Sequence, residues 1–540
     1  MLKARTLDSM QSFAIVFIIT LLAMGSSLWG KWWIFLLDFV LSDGWNFISG
    51  ESLGNFIMKL FWWIFGYEIA TKSIIFSIHV LSGYLGILLS KKIEKKFNLE
   101  KKYQKVWLSF FWALFFIMNP FAYERMLTQP MVYGGIIMIW YGIYSIFFRE
   151  KFLFAWISFW FAFGIFPHAS FMILLILLLT LIFYRKELHI WKFLSLTILP
   201  ILLINSNWLT SVTFWNIKNT IDSFSSDNFM AFTTQALSPL NTIFTNLLLY
   251  WFWWEQYDNH FVKANEMSPY WYIAGAILFA SVIFWTTRLW SHFSKNLTLA
   301  LILLGLFSIV FSVGNGSLIT DKISEFMREN IPFWQWYREP QKWTGVLMVV
   351  EWVGFISFIA FCLKKWWNDL STYVSICVLY SLLLYLWTPW VLFWYRGQLS
   401  TSEIPDDYIR VRNILSHADN LDEILILPWY GYIWCDWISR PTISNPAKKI
   451  FEWFPILLAS NVEVGEVLLE NKNWEAWFSP KNTSFSLSGL TSNPEAPWYI
   501  ITLNNCSGYE EIKNEIKKWE GKILMKIYDS QSINLYKYVK

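Results

Sequence analysis

The chain has 540 residues, of which 56% are hydrophobic and only 15% are charged, and its formal net charge is +4. In soluble domains roughly a quarter of the residues are charged, so this composition excludes a water-soluble enzyme, a disordered chain and a small module held together by disulfides. The small net charge provides no basic field for a nucleic-acid partner, so we expect none. The composition instead indicates a multi-pass protein surrounded by membrane lipids.

Apolar segments of about 20 residues can cross the hydrocarbon layer of a bilayer, which is roughly 30 Å thick. Eleven segments reach or approach that length, and the shortest of them also fit shielded short helices or re-entrant pairs. In chain order they are residues 12–30, 73–90, 106–120, 131–148, 152–167, 170–184, 193–209, 269–287, 296–313, 344–363 and 370–391. We therefore predict a mainly α transmembrane helical bundle of about eleven spans.

The distribution of Lys and Arg predicts the orientation of these spans. Seven lysines lie between Lys91 and Lys105, directly after the second segment, whereas the longer alternate loops contain fewer basic residues per length. This bias places the N-terminus in the cytoplasm, and an odd number of spans then places the C-terminus outside. The apolar run continues from Trp32 to Val40, which argues against a cleaved signal peptide.

The composition becomes polar near Gly397. Residues 404–415 and 509–519 have amphipathic helical spacing. Short β-type runs predict strands at residues 424–427, 499–503, 523–527 and 533–538. We predict two domains: a transmembrane helical domain with long outer loops at 1–394, and a soluble extracytoplasmic α/β domain at 395–540.

The four cysteines and the common motifs restrict the chemistry. Cys362 and Cys377 lie in predicted spans, where cysteine usually packs as a small apolar residue. Cys435 and Cys506 lie in the tail and could pair in an oxidising compartment, but their spacing leaves this open. No P-loop, GxGxxG, HExxH or CxxC signature is present, so the sequence indicates neither zinc chemistry nor soluble-type nucleotide chemistry, and we assign no residue to a metal site.

Tryptophan is abnormally frequent, with 37 residues against 24 glycines. Interfacial belts enrich tryptophan in membrane proteins, but membrane helices are also rich in glycine. One interpretation is that the gene comes from a lineage that reads the codon UGA as glycine. Some of the tryptophans written in the sequence would then be glycines in the cell.

Polar residues cluster in the predicted outer loops, beside apolar spans. In the first loop, Asp38 and Asp43 could act as a general base or hold a cation, or they are solvated loop acids. In the second loop, Glu124 and Arg125 follow Asn119-Pro120, and they form either a local ion pair or, through Arg125, an anion contact. His168 lies in a predicted outer turn, as a proton carrier or as an ordinary turn residue.

The fifth outer loop ends in the sequence PFWQWYREPQKW, which leads into the tenth span. Arg338, Glu339 and Lys342 lie here within five residues of one another. A guanidinium fork suits phosphate oxygens, and a nearby ammonium adds a second positive charge. The segment therefore fits the phosphate head group of a lipid, and the alternative is that these residues only anchor a helix end at the interface.

Four segments together resemble the polytopic glycosyltransferases of GT-C fold, and their uncharacterised bacterial YfhO-like relatives in particular. They are the acidic first loop with Asp38 and Asp43, NPFAYER at residues 119–125, NSNW at residues 205–208 and YREPQKW at residues 337–343. The resemblance covers the layout of the whole chain, but only about 40 residues in motif.

The resemblance implies transfer of a sugar from a polyprenyl-phosphate donor to an envelope glycan or lipid on the outer face, with inversion at the anomeric carbon. It implies that Asp43, or Asp38 as second choice, deprotonates the acceptor. Arg338, Lys342 and Arg125 would neutralise the departing lipid phosphate. Some relatives use a divalent cation, Mg or Mn. This sequence departs from that pattern, because its first loop has no adjacent acidic pair: Asp38 and Asp43 are five residues apart.

Two other functions remain open from the sequence. A lipid or polymer transporter would use a carboxylate within a span, and Glu351 is the only one well inside. A non-catalytic membrane scaffold for envelope assembly would bind polymers through its outer domain. Alanine at Asp43 separates these classes, because an enzyme loses its glycan product and a scaffold does not.

Overall fold

The computed structural model describes a large part of the chain. The described residues are 2–29, 34, 60, 64, 66–99, 101–149, 152–165, 169–184, 199, 232–234, 236, 240–250, 269–292, 294–331, 334, 339–365, 370–418, 423–439, 443–451, 454–459, 462–464, 467–469 and 499–539.

In the first three quarters of the chain, the described residues are mainly helical. The helices are Leu2–Met24 (α1), Tyr67–Phe97 (α2), Lys102–Ile117 (α3), Pro120–Thr128 (α4), Pro130–Arg149 (α5), Phe152–Ile165 (α6), Ala169–Tyr184 (α7), Thr242–Leu247 (α8), Tyr270–His292 (α9), Lys295–Val313 (α10), Leu318–Asn330 (α11), Thr344–Lys365 (α12), Leu370–Trp387 (α13) and Leu392–Arg396 (α14). A single turn of helix at Ser26–Trp29 follows α1, and 3₁₀ turns occupy Gly314–Gly316 and Pro340–Trp343.

These helices confirm the predicted helical bundle. Ten of the eleven predicted segments coincide with helices, and the seventh, at 193–209, lies outside the described residues except for Leu199. Some helices extend beyond the apolar segments into the polar residues that flank them, because Lys and Glu are good helix formers. Thus α2 continues through its lysines until Asn98, whose left-handed backbone (φ 51°) ends it.

Helix length and composition identify the candidate membrane spans in the described part. Three continuous helical stretches are long and apolar enough, at Glu68–Phe97, Lys295–Gly316 and Pro340–Lys365. Helices α3 and α4 form a fourth candidate that bends by 47° at the break between them. The other apolar helices are shorter, so the number of spans stays a prediction.

Helix α12 lies in the centre of the bundle and contacts α2, α3, α5, α9 and α10. Most of its residues are buried, including Glu351 at 5% exposure. Small residues allow close approach where helices cross. A Cβ added at Gly86 of α2 would lie 2.9 Å from the backbone oxygen of residue 112 in α3.

The tail forms a five-stranded mixed sheet with the order β4-β1-β7-β9-β8. The strands among the described residues of the tail are Ile424–Leu427 (β1), Tyr432–Ile433 (β2), Ile443–Ser444 (β3), Ile456–Leu457 (β4), Val462–Val464 (β5), Val467–Leu469 (β6), Tyr499–Leu503 (β7), Leu524–Tyr528 (β8) and Ile533–Tyr538 (β9). β1 runs parallel to β4 and β7, and β9 pairs antiparallel with β7 and β8.

Helices cover both faces of this sheet, which confirms the predicted α/β class. Ile424 and Ile426 of β1 pack in the cluster that contains helix Asp406–Ser416 (α15), whereas Leu425 and Leu427 pack on the opposite face with helix Tyr509–Trp519 (α16). This alternation follows from the two-residue period of a strand. A single helical turn at Ala447–Ile450 also joins the first cluster.

A disulfide joins Cys435 to Cys506, two residues whose pairing the sequence leaves open. It links the segment after β2 to the loop after β7, 71 residues apart in sequence. Cys362 and Cys377 are free and buried in the helical bundle, as expected for packing residues.

Candidate functional site

The short helix α4 positions the first candidate residues. Asn119 is fully buried at the break after α3, where its Oδ1 accepts from the backbone N–H of Ala122 at 2.8 Å. Its Nδ2 donates to the carbonyls of Phe115 and Phe116 at 2.9 and 3.2 Å. One side chain therefore ends α3 and begins α4, with Pro120 at the first helical position. All nine residues of α4 are buried, so its charged residues lie inside the protein.

Arg125 on α4 meets the segment that leads into α12. Its Nη1 lies 3.7 Å from Oε2 of Glu339, and Nζ of Lys342 lies 3.4 Å from Oε1 of the same carboxylate. Two cations from segments more than 200 residues apart thus contact the two oxygens of one carboxylate. Arg125 Nη1 also donates to Gln129 Oε1, one turn further along α4. We call these four residues the Arg125 cluster.

Burial makes the Arg125 cluster unusual. Arg125 is 1% exposed, Lys342 5%, and the Glu339 side chain 12%. Removing ions from water costs several kcal/mol per ion unless opposite charges and hydrogen bonds compensate. At the same time, the low dielectric strengthens each interaction with an anion. A buried cation pair of this kind is suited to hold a doubly negative group such as a phosphate.

Hydrogen bonds fix the 3₁₀ turn that carries Lys342. Gln341 Nε2 donates to the carbonyl of Phe232, and Thr344 Oγ1 donates to Asn246 Oδ1 at 3.3 Å. Asn246 Nδ2 in turn donates to Ser312 Oγ at 2.6 Å, near the end of α10. The turn is therefore attached to α8, α10 and residues 232–234, and this restricts where Lys342 lies.

The opposite side of α4 contributes a second polar network. Tyr123 stacks on Tyr395 of α14, with ring centroids 5.6 Å apart, and its hydroxyl accepts from Gln398 Nε2 at 2.8 Å. Tyr395 Oη lies 2.7 Å from His79 Nε2, whose Nδ1 lies 2.9 Å from the Ile75 carbonyl. Because a carbonyl only accepts, Nδ1 carries the proton and the Tyr395 hydroxyl donates to Nε2. Burial raises the pKa of Tyr395 well above its usual range, so this hydroxyl stays neutral.

The structure places four of the eight predicted site residues. Arg125, Glu339 and Lys342 lie together, and Glu124 lies beside Arg125 on α4 and is fully buried. The other four, Asp38, Asp43, His168 and Arg338, lie outside the described residues. Within the described part, no group of three or more His, Cys, Asp or Glu side chains is arranged to hold a metal ion.

Sequence reasoning missed Gln129 and the network of His79, Tyr123, Tyr395 and Gln398. Gln129 follows Arg125 by four residues, which is the spacing of neighbours on a helix face, so this contact was available from the sequence. The other contacts join residues as far apart as 316 positions, and no local pattern indicates them.

One solved structure with the same fold is AftD, an arabinofuranosyltransferase from mycobacteria, with a TM-score of 0.61 and 10% identity over 99% of this chain. A mutant form of AftD gives 0.62 and 11% over the same share. ArnT from Cupriavidus metallidurans, bound to undecaprenyl phosphate, gives 0.44 and 11%, covering 99% of this chain and 98% of ArnT. The chain spans 40% of AftD in the first comparison and 42% in the second.

No family model and no characterised protein sequence matches the chain. The similarity to AftD, at 10% identity, is a similarity of fold. It confirms the predicted GT-C-like architecture of a multi-pass membrane protein with a C-terminal sheet, whereas the YfhO-like relationship stays a prediction.

Proposed function

We propose that this protein is a membrane glycosyltransferase, which moves a sugar from a polyprenyl-phosphate donor to an envelope glycan or lipid on the outer face. The observation that carries the proposal is the pair of buried cations, Arg125 and Lys342, on one carboxylate inside a GT-C-like fold. AftD, which shares this fold, is an arabinofuranosyltransferase. The chain covers two fifths of AftD, so donor sugar and acceptor are not transferred from it.

The proposed reaction needs a base, an acceptor hydroxyl and a stabilised leaving group. An acid of the first outer loop, Asp43 by preference or Asp38, takes the proton of the acceptor hydroxyl. The acceptor oxygen attacks the anomeric carbon, and the bond from that carbon to the phosphate oxygen breaks. The lipid phosphate leaves with the electron pair, and the configuration at the anomeric carbon inverts.

The Arg125 cluster is proposed to bind the leaving phosphate. Negative charge accumulates on the bridging oxygen as its bond to the anomeric carbon breaks. Buried cations therefore stabilise the transition state more strongly than the intact donor, in which the bridging oxygen is uncharged. Arg338, four residues before Lys342, is a third candidate for this role. Glu339 is proposed to occupy the place of the phosphate in its absence and to hold both cations in position.

A divalent cation has no role in this proposal. In the described part of the chain, Glu339 already contacts two cations, and hard divalent cations need several oxygen ligands at one point. The residues present there do not fit such an ion, so no step is assigned to Mg or Mn.

The disulfide supports the proposed location of the tail. Disulfides persist in oxidising compartments outside the cytoplasm. Cys435 and Cys506 form one, and residues 395–540 were predicted to be extracytoplasmic from the Lys and Arg distribution. We therefore propose a cytoplasmic N-terminus and an external α/β domain.

A transfer assay tests the proposal. The full chain in proteoliposomes is given a panel of polyprenyl-phosphate sugars that includes the arabinofuranose donor, together with extracted envelope glycans, and the release of polyprenyl phosphate is measured by mass spectrometry. We expect release with at least one donor. Arg125→Gln and Lys342→Gln should each lower its rate roughly 100-fold or more, because they remove a group that stabilises developing charge.

Lys517→Gln is the matched control, since Lys517 is an exposed lysine of the tail, and it should release phosphate at the unaltered rate. Native mass spectrometry then compares the binding of undecaprenyl phosphate with that of undecaprenol, which lacks the phosphate. This comparison separates recognition of the phosphate from turnover of the donor. A chain that releases no phosphate from any donor and binds both lipids equally contradicts the proposal, and it favours the scaffold or transporter function instead.

A further inference from the structure

Helix α11, Leu318–Asn330, presents an exposed apolar surface. Leu318, Ile319 and Phe326 are 89%, 72% and 60% exposed, and Ile323 is also exposed. The spacing i, i+4, i+7 places Ile319, Ile323 and Phe326 along one face of the helix. Soluble surfaces rarely expose a contiguous apolar stripe of this kind, so its surroundings need an explanation.

The side of α11 that packs on the protein is mainly polar. Thr320 is buried, and Ser324, Met327 and Arg328 on the same side are half-buried. This side contacts the 3₁₀ turn Gly314–Gly316 and the end of α10. The helix is thus inverted relative to an ordinary surface helix, which buries its apolar side against the core.

We infer that α11 is an interfacial helix, seated on the bilayer with Ile319, Ile323 and Phe326 directed into the acyl-chain boundary. It begins two residues after Gly316, where the candidate span Lys295–Gly316 ends, so its start is at the membrane surface. Its 13 residues include five charged ones and reach only about 20 Å at 1.5 Å per residue, so it lies on the membrane and does not cross it.

Charge identifies the kind of lipid surface. Asp321, Glu325 and Glu329 outnumber Lys322 and Arg328, so α11 has a net charge of −1. An anionic lipid surface therefore offers it no electrostatic gain. The occupant that we assign to the stripe is the acyl-chain region of the lipids, independent of head-group charge.

The seating has a consequence for the Arg125 cluster. The 3₁₀ turn beneath α11 lies against Pro340, since a Cβ added at Gly314 would be 2.8 Å from Pro340 Cγ. Pro340 directly follows Glu339 and precedes Lys342 by two residues. α11 would thus hold the cluster at head-group depth, where a lipid phosphate lies. This consequence rests on the proposed function, whereas the seating itself does not.

Spin-label accessibility tests the seating without any activity measurement. Phe326→Cys and Glu325→Cys are each placed in a Cys362→Ala/Cys377→Ala background and labelled in the full chain, in phosphatidylcholine nanodiscs. We expect the label at 326 to collide with oxygen several-fold more than with a water-soluble nickel chelate. The label at 325, where the side chain is 57% exposed on another face, should show the reverse.

Three outcomes overturn the inference. A label at 326 that collides mainly with the nickel chelate places the stripe in water, and a label shielded from both reagents places it against protein, such as a second copy. Ile319→Cys repeats the measurement in case Phe326→Cys misfolds. The difference between the labels at 326 and 325 should persist when phosphatidylglycerol is added. A difference that appears only in the presence of that lipid overturns the inference that apolar contacts hold α11 on the membrane. A failed transfer assay leaves all these readings unaffected.

Discussion

At the scale of single residues, the Arg125 cluster places strong demands on its members. Arg125 is 1% exposed, and both it and Lys342 contact one carboxylate, that of Glu339. A buried ion that loses its counter-ion keeps the cost of desolvation and loses the attraction. The carboxylate is therefore as important to the stability of this region as the two cations.

Glu339→Gln tests this dependence. We expect a loss of about 3–5 kcal/mol in the free energy of unfolding, as measured for broken buried ion pairs. The double variant Glu339→Gln/Arg125→Gln should be less destabilised than the sum of the single ones, because the two groups interact directly. Thermal unfolding in detergent measures both effects. Additive losses, or a Glu339→Gln loss no larger than that of exposed Glu325→Gln, would contradict the ion-pair assignment.

The tryptophans raise a second residue-scale question. The ring centroids of Trp112 and Trp352 lie 3.6 Å apart at 86°, nearer than the 4.5–7 Å that aromatic pairs prefer. The indole nitrogens of both residues, and that of Trp271, are buried without a hydrogen-bond partner among the described residues. Buried indoles usually donate a hydrogen bond. Glycine at position 112 or 352, which the codon interpretation allows, would remove the close ring contact and one of the unpartnered indole nitrogens.

We predict that the protein isolated from its own host carries glycine at position 112 or 352. Tandem mass spectrometry of peptides from α3 and α12 measures this directly. Codon inspection provides the check, since the substituted positions must be UGA. Tryptophan at both positions, or UGG codons throughout, removes the interpretation.

At the scale of elements, close helix approach depends on small residues. At Gly86 the obstacle to a side chain is the backbone of α3, which cannot rotate away, whereas at Gly134 it is the Ile78 side chain at 3.2 Å. Alanine gains about 1 kcal/mol of helix propensity over glycine in either place. The packing cost therefore decides which substitution is tolerated.

Gly86→Ala is expected to lower the unfolding temperature in detergent, because the added methyl forces α2 and α3 apart at a cost of about 1–3 kcal/mol. Gly134→Ala is the matched control, with a change near zero or a slight gain. Equal effects of the two substitutions would show that the close approach of α2 to α3 does not exclude a methyl group at position 86.

Much of the element pattern was predictable, because apolar runs and strand alternation are local properties. The helices α9, α10 and α12 and the strands β1, β7 and β9 lie where hydropathy and periodicity indicate. The inverted helix α11 was not predicted, since its face toward the protein is mainly polar and its sequence resembles that of an ordinary helix in a surface loop. Only the packing against residues 314–316 shows which side is exposed.

The candidate site was predictable only in part. Arg125 and Lys342 were predicted as phosphate-binding residues because each is a cation beside an apolar segment. That they lie together depends on their shared contact with Glu339, and the sequence separates them by more than 200 residues. Sequence alone offered a local Glu124–Arg125 pair as the alternative to an anion contact. It could not indicate that Arg125 reaches a distant loop, because the 47° bend between α3 and α4 redirects it.

At the scale of the whole molecule, the disulfide joins the loops after β2 and β7 in the tail. Closing a loop of this length, with a separation of 71 residues in sequence between the cysteines, stabilises a domain by about 4 kcal/mol in the chain-entropy model. The bond therefore supports the central strands β1 and β7 against local unfolding, independent of the helical bundle.

We expect dithiothreitol, or Cys435→Ser/Cys506→Ser, to make the tail susceptible to limited proteolysis while the helical bundle stays intact. Cys362→Ala/Cys377→Ala is the control, because it removes the free thiols and should leave both the digestion pattern and its response to reductant unchanged. A tail equally resistant with and without the bond would show that the sheet is stable without it.

The exposed stripe of α11 also bears on how rates should be expressed. A catalyst that rests in the same plane as a lipid reactant encounters it by sideways diffusion, in two dimensions and not three. Turnover would then follow the mole fraction of donor within the vesicle and stay constant as buffer volume changes. Diluting the donor with inert phospholipid, at fixed bulk concentration, should slow the reaction in proportion.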